Sequence, residues 1–182
     1  MNLIETNLSV VKLLEPRAFS DKRGLFFESY NQQSFAEVGL NDVWIQDNHS
    51  CSTRSGTIRG MHYQVAPAAQ AKLIRVIRGS IYDVAIDVRV GSPTRGQYVG
   101  VELSAENKLQ LYVPTGFAHG FCTLENETEV LYKTTALYSP ECEGGILWDD
   151  PDIGITWPVS ENQVTITDKD AELPRLRDQT KF

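Results

Sequence analysis

The strongest constraint on this chain is its punctuation: short runs of strand-forming residues recur at close intervals, each closed by turn residues. From Ile81 to Arg89 the even positions are apolar, and Asp83, Asp87 and Arg89 fall on the other face, a period of two. Similar runs cover residues 73–78, 97–103, 109–113, 120–124 and 129–137. Between them stand Gly79-Ser80, Gly91-Ser92-Pro93, Ser104-Ala105-Glu106-Asn107 and Pro114-Thr115-Gly116. This pattern predicts an all-β sandwich or barrel. One helix is expected near Asn31 to Val38, with Ser34 and Glu37 forming a capping box. After Asp150, three prolines (Pro151, Pro158, Pro174) predict a loop-rich tail with short helices. With no internal repeat, low-complexity segment or linker, all 182 residues read as a single domain, 1–182.

Composition narrows the class. Hydrophobic residues at 41% and charged residues at 23% exclude wholesale disorder. The longest apolar runs are too short to span a bilayer. Glu5, Asn7 and Lys12 interrupt any leader-like opening, so a cytoplasmic protein is expected. Cys51, Cys122 and Cys142 are too few and too widely spaced for a disulfide framework or a zinc motif, and are read as reduced thiols. A net charge of −7 argues against general nucleic-acid or anionic-membrane binding. The charge is uneven, however. Between Asn48 and Tyr82 there is no Asp or Glu, while Arg54, Arg59, Lys72, Arg75 and Arg78 fall inside. Such a segment suits a small anionic ligand. The alternative is a strand pair whose basic residues pair with carboxylates elsewhere.

His62 and His119, each close to glycines in an apolar setting, are the candidate chemical residues. No His-x-His pair or local ligand cluster accompanies them, so no metal is expected. Neither a Gly-x-Gly-x-x-Gly nor a Walker-type loop is present, which leaves Arg and Lys side chains to hold any phosphate. Asp168, Asp170 and Arg23 read as solvated turn residues. The residues alone therefore indicate a small all-β enzyme for an anionic ligand, with His62 as candidate base.

Ordered motifs take the reading further. They are Asp21-Lys22-Arg23-Gly24, Gln46-Asp47-Asn48-His49-Ser50, Arg59-Gly60-Met61-His62-Tyr63-Gln64, Gln70-Ala71-Lys72-Leu73, Asp83 to Arg89, and Gly91-Ser92-Pro93-Thr94. Pro114 to Phe121, Leu131-Tyr132-Lys133, Trp148-Asp149-Asp150-Pro151 and Lys169-Asp170 follow. In this order, over about residues 10 to 176, the chain resembles the dTDP-4-dehydrorhamnose 3,5-epimerase family of deoxysugar-nucleotide epimerases.

The resemblance implies a cupin-type jelly roll with a few short helices. It also implies a homodimer with shared active sites and cofactor-free inversion of C3 and C5 in a dTDP-linked 4-keto-6-deoxyhexose. The product feeds dTDP-L-rhamnose and polysaccharide biosynthesis. By resemblance His62 is the base, Asp170 its orienting carboxylate, Tyr132 the opposing acid and Lys72 the electrophile at the enolate oxygen. Tyr132 alternates with Val130 and Thr134, which puts it on their face of the strand. Arg59 and His119 correspond to diphosphate and sugar contacts, Gln46, Asp47 and Asn48 to the nucleotide end, and Tyr138 to the residue that stacks on the base. Glu143 and Lys169 correspond to further ligand contacts. Arg23 and Glu28 match positions lent across the dimer interface by the N-terminal segment. The family's usual Leu-Ser-x-Lys-Asp is here Ile166-Thr167-Asp168-Lys169-Asp170, with Asp168 an added charge. A C3-only or other-nucleotide epimerase, and a catalytically silent sugar-nucleotide-binding module, are the alternatives.

Overall fold

The computed structural model describes residues 1–179. Two antiparallel sheets face each other as a jelly roll of the cupin type. Six strands form one wall in the order β1 (Asn2–Ile4), β2 (Lys12–Glu15), β10 (Gln110–Val113), β7 (Lys72–Arg78), β12 (Thr128–Thr134) and β5 (Gln46–Ser52). The other wall runs β13 (Glu143–Gly145), β6 (Ile58–Gln64), β11 (Phe117–Thr123), β8 (Ser80–Asp87) and β9 (Tyr98–Ser104). A separate hairpin, β3 (Ala18–Asp21) with β4 (Gly24–Phe27), belongs to neither wall. Among the described residues no helix is long and apolar enough to cross a membrane.

One end of the space between the walls is filled by Ile74, Val76, Ile81, Phe117, Phe121 and Val130. Burial of each such side chain stabilises the fold by roughly 1.5–3 kcal/mol. The other end stays polar and open. The β8 alternation holds, but its faces are the reverse of the usual reading. Val84, Ile86 and Val88 point away from the barrel interior, beneath Ile146, Ile153, Ile155, Trp157 and Leu176 of the C-terminal segments. The face with Asp83 and Asp87 is the interior one, shared with Ile81 and Ala85, and both carboxylates are fully buried. Asp87 accepts from Arg89 Nη2 (2.7 Å), Ser92 Oγ (2.6 Å) and Thr94 Oγ1 (2.6 Å), and so pins the turn after β8.

The expected helix is α1 (Gln32–Glu37), but its cap is Asn31. Asn31 Oδ1 accepts from the amides of Gln33 and Ser34. Ser34 lies inside the helix and donates to Glu28, so the Ser34–Glu37 capping box is not formed. The tail is loop-rich as expected, with α2 (Asp168–Ala171) and two single 3-10 turns.

Candidate active site

The open end of the barrel is a cleft of two connected lobes that share His62, Lys72 and Tyr132. One lobe, about 460 Å³, is bordered by Arg59, His119 and Asp170. The other, about 320 Å³, is bordered by Gln46, Asn48, Tyr138 and Glu143.

His62 and His119 are direct register partners on β6 and β11, so both side chains enter the cleft from the five-stranded wall. Close approach of these strands depends on glycine. A Cβ on Gly60, whose φ is +125°, would lie 2.5 Å from Gly120 Cα, and one on Gly120 would lie 2.6 Å from the Arg59 carbonyl. Lys72 and Tyr132 come from β7 and β12, in the opposite wall.

His62 Nε2 donates to Asp170 Oδ1 at 2.9 Å, and the Gly60 amide donates to Asp170 Oδ2 at 3.2 Å. An imidazole facing a carboxylate through Nε2 carries its proton there, leaving the Nδ1 lone pair as the basic atom. Asp170 is a buried residue of α2, whose cap Thr167 accepts from the Asp170 amide. Burial raises the Asp170 carboxyl, but the hydrogen bond and charge of His62, the Gly60 amide and Lys169 outweigh it and hold the group below the usual carboxylate range. The expectation that Asp170 is a solvated turn residue is thus corrected, whereas Asp168 is exposed.

A second dyad lies beside the first. His119 Nε2 donates to Asp83 Oδ1 at 2.7 Å, and Asp83 Oδ2 has no hydrogen-bond partner among the described residues. Burial lowers the His119 pKa, with Asp83 opposing and Lys72 and His62 reinforcing the shift, so the ring is neutral at pH 7. Lys72 is 8% exposed. Its Nζ donates to the His62 carbonyl at 3.1 Å. Burial pushes its pKa down to about 8 against the raising effect of Asp83 and Glu143. Tyr132 is pushed above its ordinary value by burial, with Arg59 opposing and Glu143 adding. Asp83 is the functional candidate that sequence reasoning missed. Its signal was an acid set between Ile81 and Ala85 on one face of a strand whose other face is apolar.

Glu143 orders the far lobe. It accepts from Lys169 Nζ at 2.7 Å and from Tyr138 Oη at 3.1 Å, and its Oε1 stands 4.0 Å from His62 Nδ1. Gln46 donates to Asn48 and accepts from the Tyr138 amide. At the near lobe, Arg59 donates to Ser52 Oγ and to the Cys51 carbonyl. Three expected residues are not brought here. Asp47 alternates with Gln46 and Asn48 and pairs with Lys133 on the outer face. Arg23 pairs with Asp21 on the separate hairpin. Glu28 accepts from Asn31 and Ser34. Two cations facing buried and partly buried carboxylates, with a base and a phenol on opposite walls, suit proton transfer next to a developing oxyanion.

The family model described as dTDP-4-dehydrorhamnose 3,5-epimerase matches residues 5–178. A dTDP-4-dehydrorhamnose 3,5-epimerase of Shigella flexneri is 51% identical over 100% of this chain and 99% of its own length. The crystal structure of a dTDP-4-dehydrorhamnose 3,5-epimerase from Bacillus anthracis with TDP and PPi bound superimposes with TM-score 0.92 at 50% identity, covering 96% of this chain and 98% of that one. A dTDP-6-deoxy-D-glucose-3,5-epimerase from Legionella pneumophila, in complex with dTDP-4-keto-L-rhamnose, gives TM-score 0.92 at 44% identity, covering 97% and 93%.

Proposed function

The chain belongs to the dTDP-4-dehydrorhamnose 3,5-epimerase family, and on that premise we propose how its own residues carry the reaction. The protein is an epimerase that converts dTDP-4-dehydro-6-deoxy-D-glucose to dTDP-4-dehydro-L-rhamnose by proton abstraction and return through an enolate, without a cofactor. The observation that carries this reading is that His62 and Tyr132 enter one cleft from opposite walls, with Lys72 in the same cleft.

The C4 ketone acidifies the hydrogens on C3 and C5. His62 Nδ1 takes such a proton, and Asp170 stabilises the imidazolium that forms. The Lys72 ammonium faces the negative charge growing on the C4 oxygen. Tyr132, kept protonated by its raised pKa, delivers a proton to the opposite face of the same carbon. The phenolate and imidazolium then reset through solvent before the second carbon reacts, so protons balance at each inversion. Arg59 and neutral His119 hold the diphosphate and sugar. Gln46, Asn48 and Tyr138 receive the nucleoside, with Glu143 and Lys169 steadying Tyr138.

Product analysis tests this reading. The protein, exhaustively treated with chelator, is incubated with dTDP-4-dehydro-6-deoxy-D-glucose, and the sugar is reduced with borohydride and hydrolysed. Double inversion yields 6-deoxy-L-mannose and 6-deoxy-L-talose. Recovery of 6-deoxy-D-allose and 6-deoxy-D-gulose would mean inversion at C3 alone. Activity lost on chelation and restored by one divalent ion would overturn the cofactor-free reaction.

The alkaline limb of the pH profile is assigned to Lys72. As pH rises through about 8 the ammonium loses its proton, and with it the charge that faces the enolate. Rate in kcat/KM is therefore expected to fall above about 8, whereas Tyr132, shifted upward, stays protonated there. Asp83→Asn keeps an acceptor for His119 but removes a charge that raises Lys72, so the limb should move to lower pH. A limb that stays in place would detach Lys72 from it.

The homodimer is also proposed. The β3–β4 hairpin exposes Phe19, Leu25 and Phe26, the last 72% exposed, an apolar surface that a second copy would cover. Arg23 and Glu28 would then complete the partner's cleft. Arg23→Ala and His62→Ala chains, each nearly inactive alone, are expected to regain activity after co-refolding, with about one site in four intact if pairing is random. Mixed refolded dimers as inactive as their parents would show that each site is built from a single chain.

A further inference from the structure

We infer a second, non-catalytic site on the outer face of the six-stranded sheet, where His49, Cys51 and Glu129 are placed to hold one Zn²⁺-like divalent cation. The strand register makes the cluster. Glu129 on β12 is the direct partner of Cys51 on β5, and Leu131 is the partner of His49. His49 and Cys51, two residues apart, therefore share a face with Glu129, while Ser50 and Ser52 turn inward.

The three ligand atoms all lie within 4.8 Å of one another. His49 Nε2 is 3.0 Å from Glu129 Oε2, and Cys51 Sγ is 3.9 Å from His49 Nε2. With metal–ligand bonds of about 2.0–2.3 Å, the edges of a tetrahedral site run to about 3.3–3.8 Å, so small rotamer adjustments close this triangle on one ion. His49 remains 46% accessible at its side chain, which leaves an entry path and an open fourth position for water. Arg78 Nη1, 3.9 Å from Glu129 Oε1, is the other charged group there, and it faces the carboxylate oxygen that His49 does not use.

One thiolate, one imidazole and one carboxylate form a mixed donor set that suits Zn²⁺ and its spectroscopic substitute Co²⁺, not the oxygen-only preference of Mg²⁺ or Ca²⁺. Binding releases the Cys51 thiol proton, moves the His49 ring proton from Nε2 to Nδ1, and exchanges the His49–Glu129 hydrogen bond for two bonds to the metal. The Cys51 carbonyl accepts from Arg59 Nη2, so an ion here also braces the strand against which Arg59 leans. This departs from the expectation of no metal, which rested on local spacing. His49 and Glu129 are 80 residues apart, and only the β5–β12 ladder unites them.

The test is a Co²⁺ titration of chelator-stripped, full-length protein without oxygen. The expected result is a near-ultraviolet thiolate-to-cobalt charge-transfer band with visible bands of tetrahedral intensity, saturating at one ion per chain and bleached by Zn²⁺. Cys51→Ser should abolish the charge-transfer band, and His49→Gln should weaken Co²⁺ binding by more than about 100-fold, beyond the cost of losing an outer-shell partner. Cys142→Ser should leave both unchanged. A featureless titration, a band that survives Cys51→Ser, or one lost with Cys142→Ser would overturn the site and leave a surface ion pair beside an incidental thiol. His49→Gln decides the matter if Cys51→Ser does not fold.

Discussion

Replacing His62 with alanine is expected to abolish both epimerisation and exchange of substrate hydrogens with solvent, each falling by about 100- to 10,000-fold. The effect is this large because the Asp170 carboxylate, itself held by the Gly60 amide, orients the one imidazole that takes the proton. The other imidazole of the cleft, His119, is paired with the buried Asp83, and burial lowers its basicity. Substrate binding should persist, because Arg59 and the nucleoside-side residues Gln46, Asn48 and Tyr138 are kept. Binding of dTDP, with an unchanged circular dichroism spectrum, separates loss of chemistry from loss of the site. Exchange that continues at the wild-type rate in His62→Ala would remove His62 from the role of base.

Tyr132→Phe is expected to fail differently. The ring and its packing against the interior cluster remain, and only the hydroxyl is lost. Abstraction by His62 can proceed, but the enolate has no donor on its other face. His62 then returns a proton, or a deuteron acquired from solvent, to the face it came from. Product formation should fall by at least about 100-fold while label still enters unepimerised substrate. Tyr132 is only partly buried and its ring stays packed on the interior cluster, so the variant should be folded at assay temperature. Equal loss of exchange and product would mean that Tyr132 acts on abstraction too, or only holds the sugar.

How much of this was legible in the sequence differs from element to element. β7 to β12 could be read, because glycine, proline and serine turns bracket apolar alternation. β5 could not. Its residues, Gln46 to Ser52, are polar on both faces, since one face lines the cleft and the other meets solvent. The acid-free window proved to be mixed. Arg59 and Lys72 border the cleft, as an anion-binding reading requires, whereas Arg78 pairs with Glu129 as the bland reading would have it.

Polar residues in alternating strands were the hardest to place. Alternation fixes which residues share a face but not which face is buried, and β8 is covered on both sides, so the period of two left the burial of Asp83 and Asp87 open. Asp170 was legible only through the family motif, because a turn-rich tail gives no hint that one of its acids reaches β6 across 108 residues. Arg23 and Glu28 belong to a proposal about two chains, and a single chain can place them only on the exposed hairpin and beside α1.

The central claim is that two residues on opposite walls divide the proton transfers between them. The most direct test follows both processes at once, by proton NMR of dTDP-4-dehydro-6-deoxy-D-glucose in heavy water. Loss of the C3 and C5 signals reports exchange, and the growth of product signals reports inversion. The account predicts that wild type exchanges and inverts at both carbons, that His62→Ala does neither, and that Tyr132→Phe exchanges without inverting. An unchanged ratio of exchange to inversion in Tyr132→Phe, or persistent exchange in His62→Ala, would contradict it.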